Sequence, residues 1–203
     1  MDSRQAKARL MAECSRREIS SGQARQWLVK REIPETEIKH IIDSLVKDKY
    51  IDDARFAKAF TRDKLRFSKW GPEKILRGLI DADVDKSIAE EAVNDQEDLA
   101  IQVLTDILSK KRKDLEKKAE KKAAEDRVKI ESLEQQLKDL EQTTKEAQAF
   151  KEYYKQKTAL QRKIYALQTK LRTSSLQTQA SLNAFARTKG FPSRLIEKAG
   201  LNH

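Results

Sequence analysis

The 203-residue sequence is poor in almost everything that turns a chain sharply or locks it covalently. It holds 5 Gly and 3 Pro. Strand-rich sandwiches and barrels need a turn roughly every 8–12 residues, so this scarcity excludes them. The single cysteine, Cys14, allows no internal disulfide and fits a reducing, cytoplasmic setting. No apolar run approaches the length of a membrane span. The opening MDSRQAKARL lacks the apolar stretch of a signal peptide, so none is expected. One Cys and two His, His40 and His203, cannot assemble a zinc cluster. Neither G-x-x-x-x-G-K-[ST] nor G-x-G-x-x-G occurs, which excludes the phosphate-cradling loops those motifs build. A nucleophile–His–acid triad would have to use His40, which sits among Ile38, Lys39, Ile41 and Ile42 on an ordinary helical pattern. The paired carboxylates Asp52 and Asp53 read as helix caps at a repeat boundary. No catalytic residue, metal or cofactor is therefore expected.

Charge is abundant. Charged residues make up 37% of the chain, and 43 basic against 33 acidic side chains leave a formal +10. Such an excess points to an acidic partner, nucleic acid being the default. The excess is uneven: residues 110–176 carry 19 basic and 11 acidic groups and contain no Gly or Pro.

That segment has coiled-coil spacing. Ile130, Leu133, Leu137, Leu140, Thr144 and Ala147 recur at intervals of 3 and 4, as do Leu160, Ile164, Leu167 and Leu171. This is a narrow apolar seam that another helix must cover. The two seams flank Glu141–Lys145, where paired Thr lower helix propensity. Two arrangements satisfy the pattern: a helical hairpin with its tip near that point, and one continuous helix that dimerises.

Outside the coil the chain reads as three similar helical blocks. Ile38, Ile41, Ile42, Leu45 and Val46 form one face of a helix over Glu35–Lys49, with Pro34 just ahead of it. Gln23–Arg31 and Gln5–Cys14 precede it. The same order returns after Asp52-Asp53, after Gly71-Pro72 and after Asp85. Shifting Ala24, Leu28 and Ile33 by 51 lands on Ile75, Leu79 and Val84, and a shift of 107 then lands on Leu182, Ala186 and Phe191. A third block thus starts at Leu99 and resumes beyond the coil. An insertion of that kind needs its ends close together, which favours the hairpin.

The expected fold is all-α: three tandem three-helix repeats with a long antiparallel coiled-coil hairpin inserted in the third. The expected boundaries are 1–50, 51–95, the split pair 96–109 and 179–203, and the insertion 110–178.

The run Tyr50-Ile51-Asp52-Asp53-Ala54-Arg55-Phe56-Ala57-Lys58-Ala59-Phe60, followed by Arg62, Leu65, Arg66, Gly71-Pro72, Ile75 and Leu79, resembles the signature of RecX regulatory proteins. The likeness extends over residues 5–108 and 180–200 and includes the order of the repeats; the coil at 110–178 lies outside the usual pattern. The resemblance implies a non-enzymatic protein that binds the RecA recombinase filament, lies in its groove, bridges protomers, and restrains strand exchange, ATP hydrolysis and co-protease activity. It also implies single- or double-stranded DNA as a second ligand; the composition leaves no membrane partner, and the coil reading gives a monomer, with a coil-mediated dimer as the alternative. A stand-alone DNA-binding repeat protein and a coiled-coil scaffold are the competing readings.

Candidate contact residues are basic. Arg62, Lys64, Arg66 and Lys69 form a stripe between Phe60 and Gly71 in the central repeat. Arg16, Arg17, Arg25, Lys30 and Arg31 are their counterparts in the first repeat, and Arg187, Lys189 and Arg194 in the third. Arg suits such work because its guanidinium binds carboxylate or phosphate with two bonds. A solvated helix end is the plain alternative for each. The run Lys110–Lys113 with Lys117, Lys118, Lys121 and Lys122 forms a ridge that either holds phosphates or pairs with Glu116, Glu120 and Glu125 at i,i+4. Trp70 either stacks on a partner or packs over the turn before Gly71, while Trp27, Phe56 and Phe60 read as core.

Overall fold

The computed structural model describes residues 2–143 and 150–200, apart from the side chains of 142, 143, 150, 151 and 175. The regular elements of the described residues are all helices, with no strand. They divide into two compact units, one built from the chain up to Ile107 together with Phe185 onward, the other spanning Leu108–Ala184.

The first repeat comprises α1 (Ser3–Cys14), α2 (Ser21–Val29) and α3 (Glu35–Lys47). The second comprises α4 (Asp53–Asp63), a π-helical turn (Lys64–Ser68), α5 (Pro72–Asp81) and α6 (Lys86–Asn94). The third takes its first helix from the start of α7 (Glu97–Thr143), its second from the end of α8 (Phe150–Thr188), and its third from α9 (Ser193–Lys198). Local chemistry sets these starts. Asp2, Ser20, Asp52 and Asp85 each accept a backbone N–H at the first turn of the helix that follows. Pro72 occupies the first turn of α5, where its missing N–H is not needed.

Each repeat buries the positions that the 51- and 107-residue shifts align. Ala24, Ile75 and Leu182 are wholly buried; so are Leu28, Leu79 and Ala186; and Ile33, Val84 and Phe191 are nearly so. The backbone repeats as well. Glu32, Asp83 and Gly190, related by the same shifts, all adopt positive φ in the turn that ends the second helix. The first core gathers Ala6, Leu10, Ile19, Leu28, Ile38 and Leu45, with Trp27 and Cys14 against its edge. Burial there pushes the Cys14 thiol above its ordinary value, so it is a poor nucleophile near neutrality. Val46, expected on the apolar face of α3, is instead exposed, because the buried face of that helix is Ile38, Ile41 and Leu45.

Adjacent repeats meet end-on. Ser20 is buried; its hydroxyl caps α2 and donates to the Ala82 carbonyl at the end of α5. A Cβ on Gly22 would overlap the Asp83 side chain. The second and third repeats meet at the aligned place. The Gly71 N–H donates to the Lys189 carbonyl at 2.6 Å and the Glu73 N–H to the Gly190 carbonyl at 3.1 Å. A Cβ on Gly71 would collide with the Gly190 carbonyl group. Asp53 adds a clamp: it caps not its own helix but α2, accepting from the Ser21 N–H at 2.7 Å and from the Ser21 hydroxyl.

In the second unit α7 and α8 pair antiparallel. Lys157 meets Glu141 at 2.7 Å, Leu133 and Lys163 flank one cleft, and Lys170 meets Asp126 at 3.2 Å, so each step back along α7 matches a step forward along α8. This pairing is the hairpin arrangement. The expected tip at Glu141–Lys145 lies partly outside the described residues, as do seam positions Thr144 and Ala147. Ile130, Leu133, Leu137 and Leu140 are half-buried, as are Leu160, Ile164, Leu167 and Leu171. The seam also contains a charge: Asp126 is only 4% exposed, held between Lys170 and, at 3.7 Å, Lys129. Beyond it the spacing slips to 4 and 4 on both arms, at Leu115, Ala119 and Ala123 and at Ser174, Thr178 and Leu182. Such a stutter unwinds the supercoil locally. Small side chains there leave a cavity of about 270 Å³.

Two stability outcomes are expected. Gly71→Ala should lower the urea-unfolding free energy by about 2 kcal/mol, since the Cβ both overpacks and parts two hydrogen bonds. A loss under about 0.5 kcal/mol would show that the two repeats separate freely there. Asp126→Leu should leave stability unchanged or raise it by about 1 kcal/mol, because a buried carboxylate gives way to an apolar side chain while Lys170 and Lys129, both exposed, stay in water. Lys170→Met should cost about 1–3 kcal/mol by leaving the carboxylate short of a partner.

Candidate partner-binding surface

The central repeat carries the densest set of expected contact residues. Its first helix, α4, buries Phe56, Ala57 and Thr61 and then continues into the π-helical turn, which buries Leu65. A π-turn inserts one residue into the helical ladder and frequently marks a functional site. Lys69 ends it in the left-handed conformation, φ 54°. Arg62 and Arg66 lie exposed on this segment and make no ion pair or hydrogen bond through their side chains. Lys64 does not extend to solvent in the same way. Its ammonium lies over the Phe60 ring at 5.1 Å and the Trp70 ring at 4.8 Å. Lys74 approaches Trp70 as well, at 4.4 Å. Trp70 is thus half-buried over the turn between α4 and α5, flanked by two cations. Phe56 is core, whereas Phe60 is only half-buried because it forms the rim of a surface groove.

The candidates of the other repeats are more engaged. Arg17 pairs with Glu13 at 3.5 Å and Arg25 with Glu35. Arg31 stacks on Trp27, 3.5 Å from the ring centroid, and donates to the Trp27 carbonyl. Arg187 reaches the Ser193 hydroxyl at 3.4 Å, and Lys189 lies over Phe185 at 5.9 Å. Arg194 pairs with Glu97 at 3.4 Å. Arg16 and Lys30 are exposed without such partners. The stripe is therefore not one uniform surface: Arg62, Arg66, Arg16 and Lys30 are available, and most of the rest have local work.

Two residues carry structural duties that the sequence did not disclose. Arg55, inside the signature, donates to Glu18 at 2.7 Å and to the carbonyls of Lys49 and Tyr50, joining the first repeat to the second. Glu97 at the start of α7 receives Lys198 and Arg194 from α9. The hydrogen bond from Lys198, helped by the charge of Arg194, holds the Glu97 carboxyl below its ordinary value. On the hairpin arm, Lys117, Lys118, Lys121 and Lys122 are exposed, and the expected i,i+4 pairs with Glu116, Glu120 and Glu125 do not form. The lysines outnumber the carboxylates and fan outward; Lys118 and Lys122 line the cavity beside Asp126.

Residues 52–93 match the family described as RecX, second three-helix domain. The regulatory protein RecX of Oceanobacillus iheyensis is 31% identical over 104 residues, which cover 49% of this chain and 38% of that protein. The chain thus resembles RecX proteins through its second repeat and about half of its length. The aligned region spans about two-fifths of that relative's length. A crystal structure of a regulatory protein RecX superimposes with a TM-score of 0.57 at 15% identity, covering 98% of this chain and 71% of that one. A crystal structure of RecX from Lactobacillus salivarius gives a TM-score of 0.49 at 22% identity, covering 53% and 71%. The first of these shows a shared all-α fold. The RecX match on residues 52–93 includes both unpaired arginines, Arg62 and Arg66. Among the described residues no helix is long and apolar enough to cross a membrane.

The Glu97 cluster yields a pH outcome. A carboxylate with a lowered folded value stabilises the fold above its unfolded value and loses that contribution as pH falls through the folded one. Wild type should therefore melt above Glu97→Gln at neutral pH, and the gap should close on acidification below the usual carboxylate range. A gap that persists undiminished in acid would show that packing, not charge, distinguishes the two.

Proposed function

We propose that this chain binds the RecA recombinase filament and restrains its recombination, ATPase and co-protease activities by occupancy rather than by chemistry. One observation carries the reading: the segment that matches a RecX three-helix domain also bears the exposed, unpaired Arg62 and Arg66. Tandem repeats offer an extended face rather than a pocket. Several modest contacts on successive protomers of a polymer add through effective concentration. The setting for such work is the cytoplasm, in DNA repair and recombination.

The expected outcome is co-pelleting with RecA filaments at low salt and slowed DNA-dependent ATP hydrolysis. The double substitution Arg62→Ala, Arg66→Ala should weaken both by about tenfold or more, in line with the loss of two charge-assisted contacts. Co-pelleting with that double variant unchanged would remove the two arginines from the interface. Absence of wild-type binding in every nucleotide state would remove the reading itself.

The unpaired lysines of α7 favour a second reading, direct DNA binding. Gel-shift titration of Lys117→Glu, Lys121→Glu tests it. Duplex affinity should fall and its salt dependence flatten if phosphates are held there.

A further inference from the structure

The central repeat holds one surface feature that the basic stripe does not use. Phe67, in the π-helical turn, is 81% exposed. It forms one wall of a groove of about 340 Å³ whose other walls are Phe56, Phe60, Asp63 and Lys64 from the same segment and Glu18 from the link between α1 and α2. Three aromatic rings and two carboxylates thus face one space. Glu18 is held in place by Arg55, which takes its Oε1. Its Oε2 is enclosed yet has no hydrogen-bond partner. A shielded carboxylate oxygen without a donor is costly. Asp63 is exposed and makes no side-chain bond. The Lys64 ammonium, drawn onto Phe60 and Trp70, does not neutralise either acid: it forms no ion pair.

From this geometry we infer a docking groove for a protein segment that presents a Lys or Arg beside an apolar side chain. The cation enters between the rings and the carboxylates, and the apolar neighbour covers Phe67. Aromatic faces attract cations, and Asp63, which is exposed and has no counter-ion, accepts the donors of an ammonium or guanidinium. Phosphate is opposed by the unpaired Asp63 carboxylate at the groove, even though Arg62 and Arg66 lie on the same segment. An exposed aromatic at the mouth of a groove is the kind of residue that anchors a protein interface. This inference does not depend on RecA being the partner.

The test uses the full chain, isotope-labelled, and N-acetylated, C-amidated tripeptides followed by backbone amide shifts. Leu-Arg-Leu should give saturable shifts at Glu18, Phe60 and Phe67, with a dissociation constant on the order of 1 mM, as befits so small a ligand. Leu-Glu-Leu should give none. Phe67→Ala removes an exposed ring and keeps the fold, and it should weaken Leu-Arg-Leu at least about fivefold. Asp63→Asn should weaken it as well, most strongly at low salt. Absence of saturable shifts, equal shifts with Leu-Glu-Leu, or undiminished binding to Phe67→Ala would overturn the proposal. Stronger shifts of the same amides by an oligothymidylate would overturn it too, and would assign the groove to a nucleic-acid base.

Discussion

The architecture depends on one contact made twice: the start of the second helix in one repeat lies against the left-handed turn that ends the second helix in the next. At Ser20–Gly22 on Ala82-Asp83, and again at Gly71–Glu73 on Lys189-Gly190, backbone approaches backbone with no room for a side chain. This close approach joins small three-helix modules, the first of which keeps an apolar cluster of its own, through backbone and polar contacts. The polar groups at the junction are satisfied across the boundary, by the Ser20 hydroxyl in one case and by Gly71 and Glu73 amides in the other. The contact therefore costs little in unmet hydrogen bonds while fixing the position of α4 and its π-turn, which carry the candidate residues Arg62 and Arg66.

Periodicity made much of this legible in the sequence. Shifts of 51 and 107 residues aligned apolar positions that prove buried, and the turn residues Glu32, Asp83 and Gly190 follow the same arithmetic although their side chains differ. Side-chain pattern reports burial, and burial follows from the fold. The features that escaped are those in which a residue acts on a distant element. Asp53 looked like a cap for its own helix and instead caps α2, 32 positions away, and Arg55 looked like part of a signature and instead ties the C-terminal end of α3 to Glu18. Nothing in local spacing signals such partners.

Two further features left faint traces. Phe67 falls off the stripe of Ala57, Thr61 and Leu65, four residues apart, so its exposure could have been read from spacing; the π-turn that aims it could not. Asp126 occupies a seam position where an apolar residue is the rule, a departure visible only once the seam is followed back from Ile130. For the basic residues, composition gave the sign of the surface but not the division of labour. Arg25, Arg31 and Arg194 are engaged by Glu35, Trp27 and Glu97, whereas Arg62 and Arg66 are not engaged at all. Distinguishing an occupied cation from an available one requires knowing which acids and rings lie nearby in space.

The matched pairing of α7 with α8 also restricts how this protein's relatives can vary in length. Because Glu141, Leu133 and Asp126 on one strand of the pair are each answered by Lys157, Lys163 and Lys170 on the other, trimming a single side would throw every remaining rung out of phase. Only excisions matched on both sides, by whole seam steps, preserve the apolar stripe. Natural variants of this appendage should accordingly lose or gain equal lengths on its two sides, or lack it entirely, with the flanking modules untouched.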